Sequence, residues 1–296
     1  MRAFAWFLGA IGGTLLLAAL LAFPVWQVAH AADPDWPFHR VVSRFWQLLL
    51  LLGLLVALRR LHLSSRADWG YGLARPAFLR QAGAGFALGL ATMLPMTLAM
   101  LALDILAPRA GLDAAALLKA FAAGALMGLA VALVEETFFR GLMYRAVSRE
   151  SGHWTAAWLT ALVYAAIHFF ARTKIPADEV AWDSGFRLLG GVLTHFANPL
   201  PVLDSFVTLL LVGLLLAGVR QRTGAIAACI GLHAGWVSVI KATKDLTVVD
   251  AEAAASFLVG PFDGYTGWLV AGWSLLLFAL AIARGWLKPP AVASRA

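Results

Sequence analysis

The stretch AAALLKAFAAGALMGLAVALVEETFFRGLMYRA, Ala114 to Ala146, runs almost without charge into two adjacent carboxylates, Glu135 and Glu136, and then reaches Arg140. About twenty apolar residues match the roughly 30 Å of hydrocarbon in a bilayer. An ionised carboxylate at membrane depth is costly unless something compensates it, so such residues mark functional sites. The stretch therefore predicts a membrane helix with chemistry near its end.

The rest of the chain agrees. Of 296 residues, 61% are hydrophobic and 13% charged, with mean hydropathy +0.81. A soluble domain carries about twice that charged share. Eight apolar runs stand out: Phe4–Gln27, Trp46–Leu58, Gly83–Leu106, Ala114–Glu135, Trp154–Phe170, Val202–Val219, Gly224–Ile240 and Gly267–Trp286. No two-residue alternation recurs, which argues against a closed barrel. The expected fold class is all-α, a polytopic transmembrane helix bundle of about eight spans. No repeat or linker divides the chain, so residues 1–296 read as one integral membrane domain with a core at 114–240. The apolar stretch Phe186–Phe196 suits a short re-entrant or interfacial helix. The single cysteine, Cys229, lies in an apolar run and reads as a small buried hydrophobe.

The net charge of +7 follows alternate loops. Arg59–Arg80 holds five Arg against one Asp; Arg140, Arg145 and Arg149 follow the fourth run; Arg220 and Arg222 follow the sixth; Arg284, Lys288 and Arg295 lie in the tail. The intervening loops are acidic or near neutral, Asp245, Asp250, Glu252 and Asp263 among them. Positive-inside topology explains this pattern and puts both termini in the cytoplasm. It excludes a nucleic-acid footprint. Ala29-His30-Ala31 resembles a signal-peptidase site, but the apolar stretch before it is too long for a signal peptide, so a retained first helix is expected.

Glu136 and Arg140 are spaced i, i+4, where acid and base meet on one helix face. Glu135 points about 100° away and is free for other work. His168 and His233 lie in two other apolar runs, and His195 with Asn198 falls in a loop or interface. If the chain turns at Ser151-Gly152, Glu135 and His168 each sit about 16 residues from the turn, roughly 24 Å along a helix and level with one another. His233 reaches a similar depth if this hairpin projects beyond the lipid. One carboxylate and two imidazoles can activate water, steady an oxyanion and protonate a leaving amine. The same trio can ligate zinc. The sequence lacks H-E-x-x-H, and metal-free hydrolysis is favoured, with Glu135, His168 and His233 as the ligand set otherwise.

These residues resemble the CPBP family of intramembrane proteases, which includes type II CAAX prenyl endopeptidases and bacteriocin-processing or immunity proteins of the Abi type. Glu135-Glu136-x-x-x-Arg140 matches the first motif, Tyr164-x-x-x-His168 the second with Tyr for Phe, and His233 opens the third. Val237 stands where the family has Asn or Asp. The resemblance implies Glu135 as the water-activating residue, His168 as its partner, His233 on the oxyanion side, and Glu136 with Arg140 as a structural pair. It implies an endopeptidase cutting a protein or peptide near the cytoplasmic side of a membrane, here the bacterial inner membrane, with lipid as the only other partner. No cofactor is favoured, zinc being the alternative. Asn198 and Ser238 are candidates for the role Val237 leaves open. The rival class is a non-hydrolytic member, either an immunity-type binder or a small proton-coupled transporter.

Overall fold

The computed structural model describes residues 1–61, 63–169, 174–260 and 262–285. The predicted run ends Phe170 and Trp286, the charges Arg172, Lys288 and Arg295, and the His195 side chain lie outside them. Helices are α1 (Arg2–Ala32), α2 (Phe38–Arg60), α3 (Arg75–Ala102), α4 (Ala114–Glu136), α5 (Tyr144–Ile167), α6 (Ser184–Ala197), α7 (Leu203–Thr223), α8 (Ala227–Leu246) and α9 (Trp268–Ala283). One π-helical segment, Thr137–Met143, joins α4 to α5. A short antiparallel pair, β1 (Leu106–Pro108) with β2 (Thr247–Val249), aligns Leu106 with Val249. The fold is an all-α membrane helix bundle.

Four segments of the described residues are long and apolar enough to cross a membrane: Arg2–Ala32, Arg75–Ala102, Ala114–Ile167 and Leu200–Thr223. The third contains the predicted run Ala114–Glu135 and most of Trp154–Phe170, while α9 is apolar but shorter. Helix α6 occupies the stretch read as a short re-entrant or interfacial helix.

Two compact units divide the chain, residues 1–64 with 165–201, and 65–164 with 202–296. In the first, α1 and α2 are linked by Trp46 Nε1 donating to Thr14 Oγ1 at 3.1 Å. Gly185 of α6 lies so close to the Ala19 carbonyl of α1 that a Cβ would clash. Ala22, Trp26, Phe38, Val42 and Leu188 form its core.

The second unit is organised around α8, buried on nearly every side. Its neighbours approach through small residues. A Cβ added to Gly89 of α3 would meet the Leu232 carbonyl at 2.5 Å, and one on Gly128 of α4 the Ala234 carbonyl at 2.5 Å. On α4 the buried positions are Ala120, Gly124, Gly128, Ala132 and Glu136, an unbroken i+4 ladder. Its opposite face exposes Leu118, Leu126 (73%), Leu129 and Val134 (62%). Large apolar residues outside and small ones inside are what lipid solvation selects, because helices in a membrane associate by close backbone approach rather than by hiding leucines. Cross-helix hydrogen bonds tie polar side chains together: Trp236 Nε1 donates to Thr92 Oγ1 at 2.9 Å, and the Thr97 hydroxyl pairs with those of Thr243 and Tyr265 at 3.0 and 2.9 Å.

Past Glu136 the helix continues through the π segment to Ser151. At Gly152 (φ 80°, ψ 167°) the path breaks before the second arm of α5 begins. That φ is easy only without a Cβ, which is why the chain turns at Ser151-Gly152.

Overfilling the α4–α8 contact tests this packing. Gly128→Leu places a branched side chain against the Ala234 carbonyl, and overpacking of this kind typically costs about 1–3 kcal/mol. A lowered melting temperature of the purified protein in detergent is expected, whereas Leu126→Ala on the exposed face leaves it nearly unchanged.

Candidate active site

The α4 ladder delivers Glu136 to the face of α8 one turn after Ala132, and His233 stands opposite it. His233 Nδ1 lies 2.8 Å from Glu136 Oε1. Arg140 Nη1 donates to the same oxygen at 3.2 Å. Glu136 and Arg140 are both completely buried, and His233 nearly so. The bond fixes the ring's orientation and leaves Nε2 as its second functional atom.

Arg140 is held from every side. Its Nη2 donates to the Gly213 carbonyl of α7 at 3.2 Å, and its guanidinium carbon lies 4.5 Å from the Tyr164 ring centroid and 5.6 Å from that of Phe139. Tyr164 meets His233 edge-on at 6.3 Å and Phe139 at 5.3 Å. Arg220 Nε donates to the Arg140 carbonyl at 3.0 Å. Glu136 Oε2 and Arg140 Nε are buried without a hydrogen-bond partner among the described residues.

A buried charge is tolerable only when paired and hydrogen-bonded, and Arg140 with His233 supplies that for Glu136. The π segment adds a residue to the turn where the cluster forms, a distortion frequent at functional sites.

The loop before α3 braces this region. Tyr71 and Thr137 hydroxyls are hydrogen-bonded at 2.6 Å, and Thr137 donates onward to the Leu133 carbonyl. Gly141 sits against the Trp69 carbonyl, where a Cβ would lie 2.5 Å away. Ile226 N, just before α8, donates to the Gly70 carbonyl at 3.1 Å. Asp68 accepts from Ser65 and pairs with Arg149 and Arg145. One loop thus touches the π segment, its following arm and the start of α8.

The predicted residues divide as follows. Glu136, Arg140 and His233 meet directly, so His233 is bonded to Glu136 although the sequence grouped it with Glu135. Glu135 is half-buried on the adjoining face, within electrostatic reach of the Tyr164 hydroxyl. His168 follows the last residue of α5, its N–H bonded to the Ala165 carbonyl at 3.3 Å, and belongs to the other compact unit. Val237 is half-buried. Ser238 is committed to the Ala234 carbonyl at 2.6 Å, and Asn198 is exposed in the other unit. Sequence reasoning missed Arg220, which counted as a loop charge but is buried. Its lack of any acidic partner within helical spacing was the available signal.

A helix bundle with a buried carboxylate–guanidinium–imidazole cluster beside a second carboxylate is the architecture of an integral membrane protein with a polar cluster inside it. Residues 117–239 match the family described as type II CAAX prenyl endopeptidase Rce1-like. This segment, rather less than half of the chain, is thus similar to a family of CAAX proteases. No curated protein and no solved structure matches the chain.

Among the described residues no three His, Cys, Asp or Glu side chains gather as ligands for a metal ion. The pair Glu136–His233 offers two donors, but Arg140 occupies the position where a cation would stand. The cluster does not fit a zinc site.

Removing the guanidinium leaves Glu136 charged and under-compensated. Arg140→Ala is expected to destabilise the protein by about 3–5 kcal/mol, read as a fall in melting temperature, and Arg140→Lys recovers little because one ammonium cannot reproduce the fork. In the loop, the Ser65 hydroxyl bond, followed by Arg149 and Arg145, outweighs desolvation and holds the Asp68 carboxyl below its usual range. A depressed carboxyl contributes stability at neutral pH that is lost as pH falls through the folded value. Asp68→Asn should therefore melt below wild type at pH 7, with the difference shrinking toward pH 3 in thermal scans.

Proposed function

We propose that the protein is an intramembrane endopeptidase that hydrolyses a peptide bond near the cytoplasmic side of the membrane, with both termini in the cytoplasm and Glu135 activating the water. The observation that carries the reading is the division of labour between adjacent carboxylates. Glu136 has one oxygen committed to two cationic or N–H donors, whereas Glu135, on the next face, is only half-buried. A carboxylate that must accept a proton in the reaction cannot also be the counter-ion that holds a buried arginine, so base and brace fall to different residues.

In this reading Glu135 takes a proton from water as the water attacks the scissile carbonyl, and returns it to the leaving amine. The resemblance of its motif to the family's is what names His168 as the partner of that base. His233, oriented through Nδ1 by Glu136, turns Nε2 toward the developing oxyanion. Tyr164 closes the ring side of the site and excludes water from Arg140. The substrate is a protein or peptide drawn to the membrane.

The decisive measurement is cleavage of membrane-associated peptides by the purified protein with and without chelator. Glu135→Gln is expected to lower turnover by about 10²–10⁴-fold, the usual contribution of a general base, while leaving the melting temperature near wild type. Cleavage at the wild-type rate in that variant would sink the assignment. Loss of activity on chelation, restored by zinc, would transfer Glu135, His168 and His233 to a ligand set.

A further inference from the structure

Beside the brace, at the start of α3, a groove of about 420 Å³ opens between the loop and the first turns of the helix. Its walls are Tyr71, Leu73, Phe78 and Leu79, and its polar groups are Arg66 and Arg75. The two rings stack at 5.5 Å and form an apolar floor. Both arginines are exposed, and neither has a carboxylate partner among the described residues. The acid nearest in sequence, Asp68, is committed to Ser65, Arg149 and Arg145. Among the described residues no carboxylate thus compensates the groove's two positive charges.

Its place in the fold narrows the ligand. Arg75 begins a 28-residue helix apolar enough to span a membrane, so the groove lies where headgroups meet hydrocarbon. Leu79, one of its walls, is exposed, and deeper along the same helix so are Leu94 and Leu98. A free anion would use the arginines and leave the apolar walls idle. A molecule with an anionic head and hydrocarbon tails uses both.

We propose that this groove binds an anionic phospholipid, its phosphate between Arg66 and Arg75 and its acyl chains along α3. Arg66 and Arg75 form charge-assisted hydrogen bonds to phosphate oxygens, and Leu79 and Phe78 receive the glycerol and upper acyl segments. Glu135 is not among the groove's lining residues, and lipid binding does not depend on the proposed hydrolysis.

The test is lipid binding by the delipidated, full-length protein in detergent, followed by native mass spectrometry and by thermal shift, with phosphatidylglycerol, phosphatidylcholine and inorganic phosphate as separate probes. Phosphatidylglycerol should bind and stabilise, the other two should not, and the double variant Arg66→Gln/Arg75→Gln should bind it on the order of thirtyfold more weakly, given the contribution of each basic residue near an anionic surface. Arg66→Lys/Arg75→Lys, which keeps the charge, should retain most of the binding, and this separates charge from misfolding. Equal phosphatidylglycerol affinity in wild type and the Gln variant overturns the proposal. So does equal affinity for phosphatidylcholine, which would mean the groove ignores charge, or for inorganic phosphate, which would mean it ignores the chains.

Discussion

Everything near the site depends on keeping one carboxylate charged where water is scarce. Glu136 is completely buried, and the arginine one turn later and the imidazole across on α8 converge on its Oε1. Leaving such a group without partners would cost more than most single contacts contribute. The surrounding elements meet that demand: Gly213 offers a carbonyl to the guanidinium, Tyr164 and Phe139 lend ring faces, and Arg220 fastens the backbone beneath. The polar cluster in turn determines how α4, α7 and α8 are rotated about their axes, since a turn of any one would break a bond to a buried charge.

The small residues make that convergence possible. Two helices carrying leucine at their contact face stand 8–10 Å apart, and a glutamate would need to stretch to reach a histidine across that gap. Gly124 and Gly128 bring the α4 backbone against Ser238 and Ala234, so Glu136 and His233 meet at 2.8 Å. Packing and electrostatics are one device here. The i+4 ladder that lets the helices touch is the same ladder that points the acid inward.

Much of this was legible. Run lengths and hydropathy announced a helical membrane protein, Ser151-Gly152 announced the turn, and the i, i+4 spacing announced the Glu136–Arg140 pair. What could not be read was which face of α4 meets α8, because both carboxylates end the same apolar run and rotation about the axis leaves no trace in composition. The ladder Ala120, Gly124, Gly128, Ala132 was the missing clue: extended by four it lands on Glu136, not Glu135. The π segment was also invisible, since TFFRGLM has no feature that favours a wider turn over an ordinary one. Arg220 was misread because a basic residue at a helix end looks like topology, and only the packed structure shows it buried against the Arg140 carbonyl. Burial of a whole helix is equally hidden from the sequence. Apolar runs locate helices, but α8 lies inside the bundle and does not need a lipid-compatible surface to be central to it.

The third motif raises a sharper question. One turn beyond His233 stands Val237, and the neighbouring hydroxyl of Ser238 is turned back onto the Ala234 carbonyl, so α8 presents no second polar group beside the imidazole. In the proposed hydrolysis, with Nδ1 against Glu136, a single ring nitrogen is left to meet the charge that would develop on an attacked carbonyl. Losing one donor of an oxyanion pair usually slows an acyl transfer by about 10²–10³-fold. Either turnover is slow, or the second donor comes from a backbone amide or from the substrate itself. Backbone donors need no particular side chain, which is how the proposed chemistry would survive valine at this position. Restoring a side-chain donor would then raise the rate only where a donor is truly missing. Val237→Asn is therefore the substitution whose effect on the rate tells these two routes apart.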